Sequence, residues 1–155
     1  MIPFGDPSAS YQAHKSEIDQ AIKRVLGSGW YVLDTEVDEL EKEFASFHGK
    51  DLHAVGVANG TDAIALCLRG LGLGTGDEVI TPSHTAVATV AGIEQAGCTP
   101  VFADIDPNTR CISPTSIEER VSTNTRAVMP VHIYGQPAEM HRIMDIAKTH
   151  HLAVV

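Results

Sequence analysis

Hydrophobic positions change their period once along this chain. Ile18, Ala21, Ile22, Val25 and Leu26 recur at helical spacing until Gly27-Ser28-Gly29 stops them, so 16–28 is predicted to be a helix. Thr35 opens a second predicted helix, with Asp38 three residues on as its capping-box partner. Val37, Leu40, Phe44 and Phe47 form its apolar stripe, and Gly49 ends it. From His53 onward, short apolar runs alternate with helical stretches. Strands are predicted at 53–58, 79–81, 100–103, 127–131 and 152–155, and helices at 61–71, 85–97 and 115–121. Pro137 marks the start of a last helix, on which Met140, Ile143, Met144 and Ala147 face the core.

Near-continuously apolar strands separated by helices imply a mainly parallel sheet covered on both faces, a three-layer α/β/α arrangement. The chain thus reads as an N-terminal helical segment, 1–52, followed by an α/β part, 53–155. It contains no internal repeat and no low-complexity linker. It stops at the last hydrophobic residue of a strand, Val155, and reads as cut inside a larger domain. An apolar sheet edge left open in this way predicts poor independent stability.

Composition narrows the class. The chain has 155 residues, 43% of them hydrophobic and 20% charged, the balance of an ordinary soluble domain. No apolar run approaches the ~20 residues needed to span a bilayer. The opening Met1-Ile2-Pro3-Phe4-Gly5-Asp6 has neither a basic nor an apolar region of a signal peptide, so a cytoplasmic location is expected. A net charge of −9 makes nucleic acid and anionic membrane poor partners. Any phosphate must then be held by a local device rather than by the overall field. Cys67, Cys98 and Cys111 are widely spaced and match no zinc pattern, so reduced thiols are expected.

Ligands of a parallel α/β sheet sit beyond the carboxyl ends of its strands. Three junctions qualify. At Asn59-Gly60-Thr61, a predicted strand runs directly into a helix whose first N–H groups and dipole suit a phosphate. Gly60 lets the backbone come close and the Thr61 hydroxyl can add a donor, but Asn59 or Thr61 reads equally as a plain helix cap. At Pro82-Ser83-His84, the imidazole could cover a flat aromatic ligand or stand solvated in its loop. At His132-Ile133-Tyr134, the rings either line the same crevice or pack beneath it.

Other chemistry is absent from the pattern. Gly70, Gly72, Gly74 and Gly76 lack the spacing of a dinucleotide fingerprint and follow a helix instead of a strand, so they read as a loop with a helix C-cap. There is no phosphate loop of the GxxxxGK type, no HExxH, no GxSxG, and no metal-ligand spacing among the eight histidines. His150 and His151 complement a helix dipole.

Two long strings carry more information than any of these motifs. "VANGTDAIALCLRGLGLGTGDEVITPSHTAVATVAGIEQAGCTPVFADIDP" and "RAVMPVHIYGQPAEM" closely resemble the DegT/DnrJ/EryC1/StrS family, as do "IPFGDPSASY" and "SGWYVLDTEVDELEKEFASFHG" near the start. The resemblance covers essentially the whole chain in order. It implies the N-terminal part of the large domain of a fold-type-I enzyme that depends on pyridoxal 5'-phosphate (PLP), a homodimer when full length. The implied reaction moves an amino group from an amino acid, expected to be glutamate, to a nucleotide-linked keto sugar.

By the same resemblance, Gly60 and Thr61, with Asn59 beside them, hold the PLP phosphate, and the segment around His84 covers the ring. Many members carry an aromatic residue where this chain has Ala86, so the covering role passes to His84. Trp30 and Tyr31 resemble residues at the sugar entrance, and Tyr134 joins them as a substrate-side candidate; as plain structure, Trp30 and Tyr31 would be a packing pair at a helix end. Asp34 stands where glycine is usual after "WYVL", and aspartate tolerates a left-handed backbone better than most residues. The acidic partner of the pyridine nitrogen, a phosphate-binding serine and the Schiff-base lysine are expected beyond Val155. Lys15, Lys23, Lys42, Lys50 and Lys148 are not credible substitutes, so no transaminase activity is expected of this chain alone. A PLP-dependent sugar dehydratase of the same family and a non-catalytic binding or regulatory partner are the competing readings.

Overall fold

A computed structural model describes residues 5–155; residues 1–4, on which the reading of the N-terminus partly rests, lie outside the described residues. The chain divides into two compact units, Met1–Gly56 and Val57–Val155.

The first unit is helical. α1 (Pro7–Ala13) has no apolar stripe and was not expected from the pattern; Asp6 caps it by accepting the Ala9 N–H at 3.1 Å, and Pro7 occupies the first turn. α2 (Lys15–Ser28) and α3 (Thr35–His48) match the periodicity closely. Arg24 of α2 holds Glu36 of α3 through a fork, Nε to Oε1 at 2.7 Å and a terminal nitrogen to Oε2 at 3.1 Å. The start of α3 corrects two expectations. Asp34, not Thr35, is its N-cap residue, and its side chain makes no capping bond. Asp34 is extended (φ −102°), and the left-handed residue is Leu33 beside it (φ 53°).

The expected buried strand at 53–58 does not form. Val55 is 77% exposed, and no strand among the described residues pairs with this segment. The Gly56 N–H is instead taken by the Glu41 carboxylate at 2.6 Å, with Val37 against the glycine, so the stretch is spent on α3.

The second unit is an α/β layer structure. It runs α4 (Gly60–Gly70), β1 (Glu78–Pro82), α5 (Val87–Ala96), β2 (Thr99–Ala103), α6 (Pro114–Arg120), β3 (Thr125–Val128), α7 (Met140–His150) and β4 (Ala153–Val154). The four strands are parallel in the order β2-β1-β3-β4. Consecutive strand residues point to opposite faces, and the core divides accordingly. Ile80 and Val128 join Ile117, Ile143 and Ile146 on the face of α6 and α7. Val79 and Ala127 join Ala65, Leu68 and Ile93 on the face of α4 and α5. The α/β class with a parallel sheet between helices is thereby met.

Boundaries differ in detail. β3 ends at Val128 rather than 131, α5 begins at Val87 rather than 85, and α7 begins at Met140, three residues after Pro137. Met144, expected in the core, is 51% exposed. The glycine run does end a helix: the Leu73 N–H reaches the Leu68 carbonyl and the Gly72 N–H that of Arg69, with Gly72 left-handed at φ +77°. All three cysteines are free, Cys98 and Cys111 being buried. No helix among the described residues is long and apolar enough to cross a membrane.

Candidate functional site

The connections of the sheet mark one place for a ligand. β1 leads into α5 on one face, whereas β3 leads by way of 129–139 into α7 on the other. Because β1 and β3 are neighbours, their carboxyl ends part in opposite directions and leave a crevice there. The two ends are tied together. Met129 N–H donates to the Ile80 carbonyl at 2.7 Å, and the buried Thr81 hydroxyl donates to the Met129 carbonyl at 3.0 Å.

Two expected residues meet at this place. His84 follows β1 and Tyr134 follows β3, and their rings lie edge to face with centroids 5.8 Å apart. The Nε2 atom of His84 is buried and has no hydrogen-bond partner among the described residues, which leaves it free to pair with a water, an ion or a bound group. Tyr134 is 82% exposed and sits in the left-handed region at φ 55°, strained for a bulky aromatic residue. His132 does different work: its Nδ1 accepts the Ala138 N–H at 3.1 Å and braces the loop before α7. Ala86, the residue before α5, is exposed and extended.

The turn Asn59–Gly60–Thr61 is built as a helix start. Asn59 is the N-cap of α4, its Oδ1 accepting the Asp62 N–H at 2.9 Å, while its Nδ2 donates to the Asp62 carboxylate at 2.8 Å. Both ends of the Asn59 side chain are therefore spent on the helix. The N–H groups of Gly60 and Thr61 belong to the first turn, which leaves them without an intrahelical acceptor. A Cβ placed on Gly60 would meet nothing within 4 Å among the described residues, so the turn is open at this glycine. These N–H groups, the Thr61 hydroxyl and the positive end of α4 form a donor set of the kind that holds a phosphate. No local pattern points to Gln95, which lies 33 residues from Asp62 and donates to its carboxylate at 3.1 Å.

Trp30 and Tyr31 belong to the first unit and are 64% and 63% exposed, so they are not the packed pair of the plain structural reading. Trp30 is fixed by its own neighbours: Nε1 donates to the Val32 carbonyl at 2.6 Å, and its N–H to the Ser28 hydroxyl at 3.1 Å. An open groove in this unit, lined by Glu41, Lys42, Lys50, Asp51 and His53 among others, includes neither of them.

Known proteins match this architecture over its whole length. The chain is 46% identical over 155 residues to a dTDP-3-amino-3,6-dideoxy-alpha-D-galactopyranose transaminase of Aneurinibacillus thermoaerophilus, covering 100% of this chain and 42% of that protein. The crystal structure of S. venezuelae DesV in complex with a ketimine intermediate superposes with a TM-score of 0.94 at 44% identity, over 99% of this chain and 41% of that one. The structure of ntda from Bacillus subtilis, with bound cofactor PMP, superposes at 0.86 with 34% identity, over 92% of this chain and 32% of that one. The chain thus spans between about one third and two fifths of the length of these relatives. The model of the DegT/DnrJ/EryC1/StrS aminotransferase family matches residues 12–155, and the chain belongs to that family.

Proposed function

We propose that this chain provides the phosphate cup and one wall of the cofactor site of a PLP-dependent aminotransferase. The whole protein would move an amino group from an amino acid, glutamate in the first instance, to a nucleotide-linked keto sugar. One observation carries the reading: the Gly60 and Thr61 N–H groups open the first turn of α4 at an exposed glycine, while the Asn59 side chain is already spent on the cap. In a chain of net charge −9, a dianionic phosphate needs such a neutral backbone device.

The donor set fits the group. Gly60 and Thr61 would hold the phosphate, Asn59 would keep the helix start in shape, and His84 would cover the ring, its unpartnered Nε2 being available for a hydrogen bond. When bound, PLP supplies an electron-accepting ring through which an amino group is exchanged between donor and acceptor. The residues of this chain bind and orient that ring; they move no proton in this scheme. Trp30, Tyr31 and Tyr134 are assigned to the sugar side. The strained backbone of Tyr134 supports that role for it, and the exposure of Trp30 and Tyr31 leaves them open to a ligand.

The full-length protein is proposed to be a cytoplasmic homodimer. This chain alone is proposed to lack transamination, because none of its five lysines follows a strand end of the sheet: four precede Val57 and Lys148 lies on α7. A half-reaction with glutamate and PLP, followed by cofactor absorbance, should show no turnover. The phosphate cup is tested with pyridoxamine 5'-phosphate, which needs no covalent anchor. Gly60→Val and Thr61→Val should each weaken its binding about tenfold or more, measured by fluorescence titration. Unchanged affinity in both variants would remove the basis of the reading.

A further inference from the structure

The cofactor-phosphate turn proposed above depends on α4 starting at one place and in one direction. A helix start at a surface is ordinarily free to fray. Here the first turn of α4 is gripped from the side by α5, a helix that follows the other half of the candidate site.

Three contacts make the grip. Gly92 of α5 lies against the first turn of α4: a Cβ there would stand 2.7 Å from Ile64 Cγ2, 2.8 Å from Ile64 Cβ and 3.0 Å from the Thr61 carbonyl oxygen. Gly92 is buried, so the close approach has no room to relax. One turn further, the Gln95 side chain donates to Asp62 Oδ1 at 3.1 Å. The Gln95 carbonyl in turn accepts from the Arg69 guanidinium at the far end of α4.

Asp62 is the joint of this arrangement. Its carboxylate takes Nδ2 of Asn59 on one oxygen and Nε2 of Gln95 on the other, and its N–H donates to Asn59 Oδ1. The arrangement has an electrostatic consequence. A carboxylate in the first turn of a helix favours that helix but opposes an anion bound at the same end. Two side-chain amides, one from the cap and one from α5, both turn their N–H groups to it and offset part of that repulsion.

We propose that Gly92 and Gln95 are positioning residues for the phosphate turn, acting through Thr61 and through the Asp62–Asn59 cap. They touch neither cofactor nor substrate. Because α5 begins three residues after His84, the same helix ties the residue that covers the ring to the turn that holds the phosphate. The proposal rests on the phosphate reading of Gly60 and Thr61.

The test compares pyridoxamine 5'-phosphate with pyridoxamine in the full chain, so that the phosphate contribution is read as a ratio of two dissociation constants. In the unmodified protein, the phosphorylated form should bind more tightly. Gln95→Ala should reduce that preference by about three- to tenfold, and Gln95→Glu by more, because it sets a second carboxylate against Asp62. Gly92→Ala, which must displace Ile64 or the Thr61 carbonyl, should reduce it further. Circular dichroism and a urea midpoint show whether each variant is folded; if Gly92→Ala is not, the two Gln95 variants decide. In amide NMR, phosphate-induced shifts at Gly60 and Thr61 should shrink in step with the lost preference. A preserved preference in folded Gln95→Ala and Gln95→Glu would overturn the positioning role and leave the phosphate reading intact. Equal binding of the two probes to the unmodified protein would overturn the phosphate reading and this proposal with it.

Discussion

The two units of the chain use hydrophobic residues with similar regularity and to opposite effect. In the second unit, Leu68, Ile80, Ile93 and Ile143 are fully buried between sheet and helices. In the first, no residue of α1, α2 or α3 is buried, and the stripe residues Leu26, Phe44 and Phe47 are 63%, 56% and 85% exposed. Helical spacing of apolar residues identifies the face a helix offers. Only a second surface with its own apolar side decides whether that face is covered.

Large-to-small substitutions should expose this contrast most strongly. Leu68→Ala, which empties a fully buried site, should cost about 2–5 kcal/mol, whereas Phe47→Ala should stay within about 0.5 kcal/mol. Urea unfolding of both variants checks the pair, and comparable losses would erase the distinction between the units. Next in size is Thr81→Val. It leaves the Met129 carbonyl without the hydroxyl it accepts from, between β1 and β3, for an expected loss of about 1–3 kcal/mol in the same assay.

The helix starts offer a finer version of the comparison. Asn59 caps α4 with its side chain, and Asp34 makes no such bond at α3. Asn59→Ala should therefore cost about 1 kcal/mol and Asp34→Ala only a few tenths, with a reversed order counting against the geometry. The smallest effect concerns acid. The N–H groups of Thr109 and Asn108 hold the Asp106 carboxyl below the usual carboxylate range. With the folded value depressed, its contribution is present above the ordinary aspartate pKa and is lost as pH falls through the folded one. Asp106→Asn should flatten slightly the fall in urea midpoint between about pH 6 and pH 3. A variant tracking the parent throughout would count against this role.

Much of the second unit was legible because its elements carry two signals at once. β1 is apolar at Val79 and Ile80 and bounded by turn residues, and the Leu68–Leu73 helix end needs a glycine where Gly72 stands. The stretch 53–58 has the same local look, but strand identity belongs to a pair of segments, and here the Gly56 N–H found Glu41. In the candidate site, the separation of His132 from Tyr134 was not legible, since it depends on which imidazole nitrogen meets the Ala138 N–H. Gln95 was invisible for a related reason: its partner is distant in sequence, and an exposed glutamine on a helix carries no pattern.

The division of β1 between two cores has a consequence for length. Val79 serves one hydrophobic layer and Ile80 the other, so a single residue inserted just ahead of them would turn the strand inside out. Each side chain would then be aimed at the wrong partner. Extra residues in the exposed turn around Gly72 and Gly76 would only lengthen a loop. The protein can thus absorb a change of length a few positions before β1, and none within it.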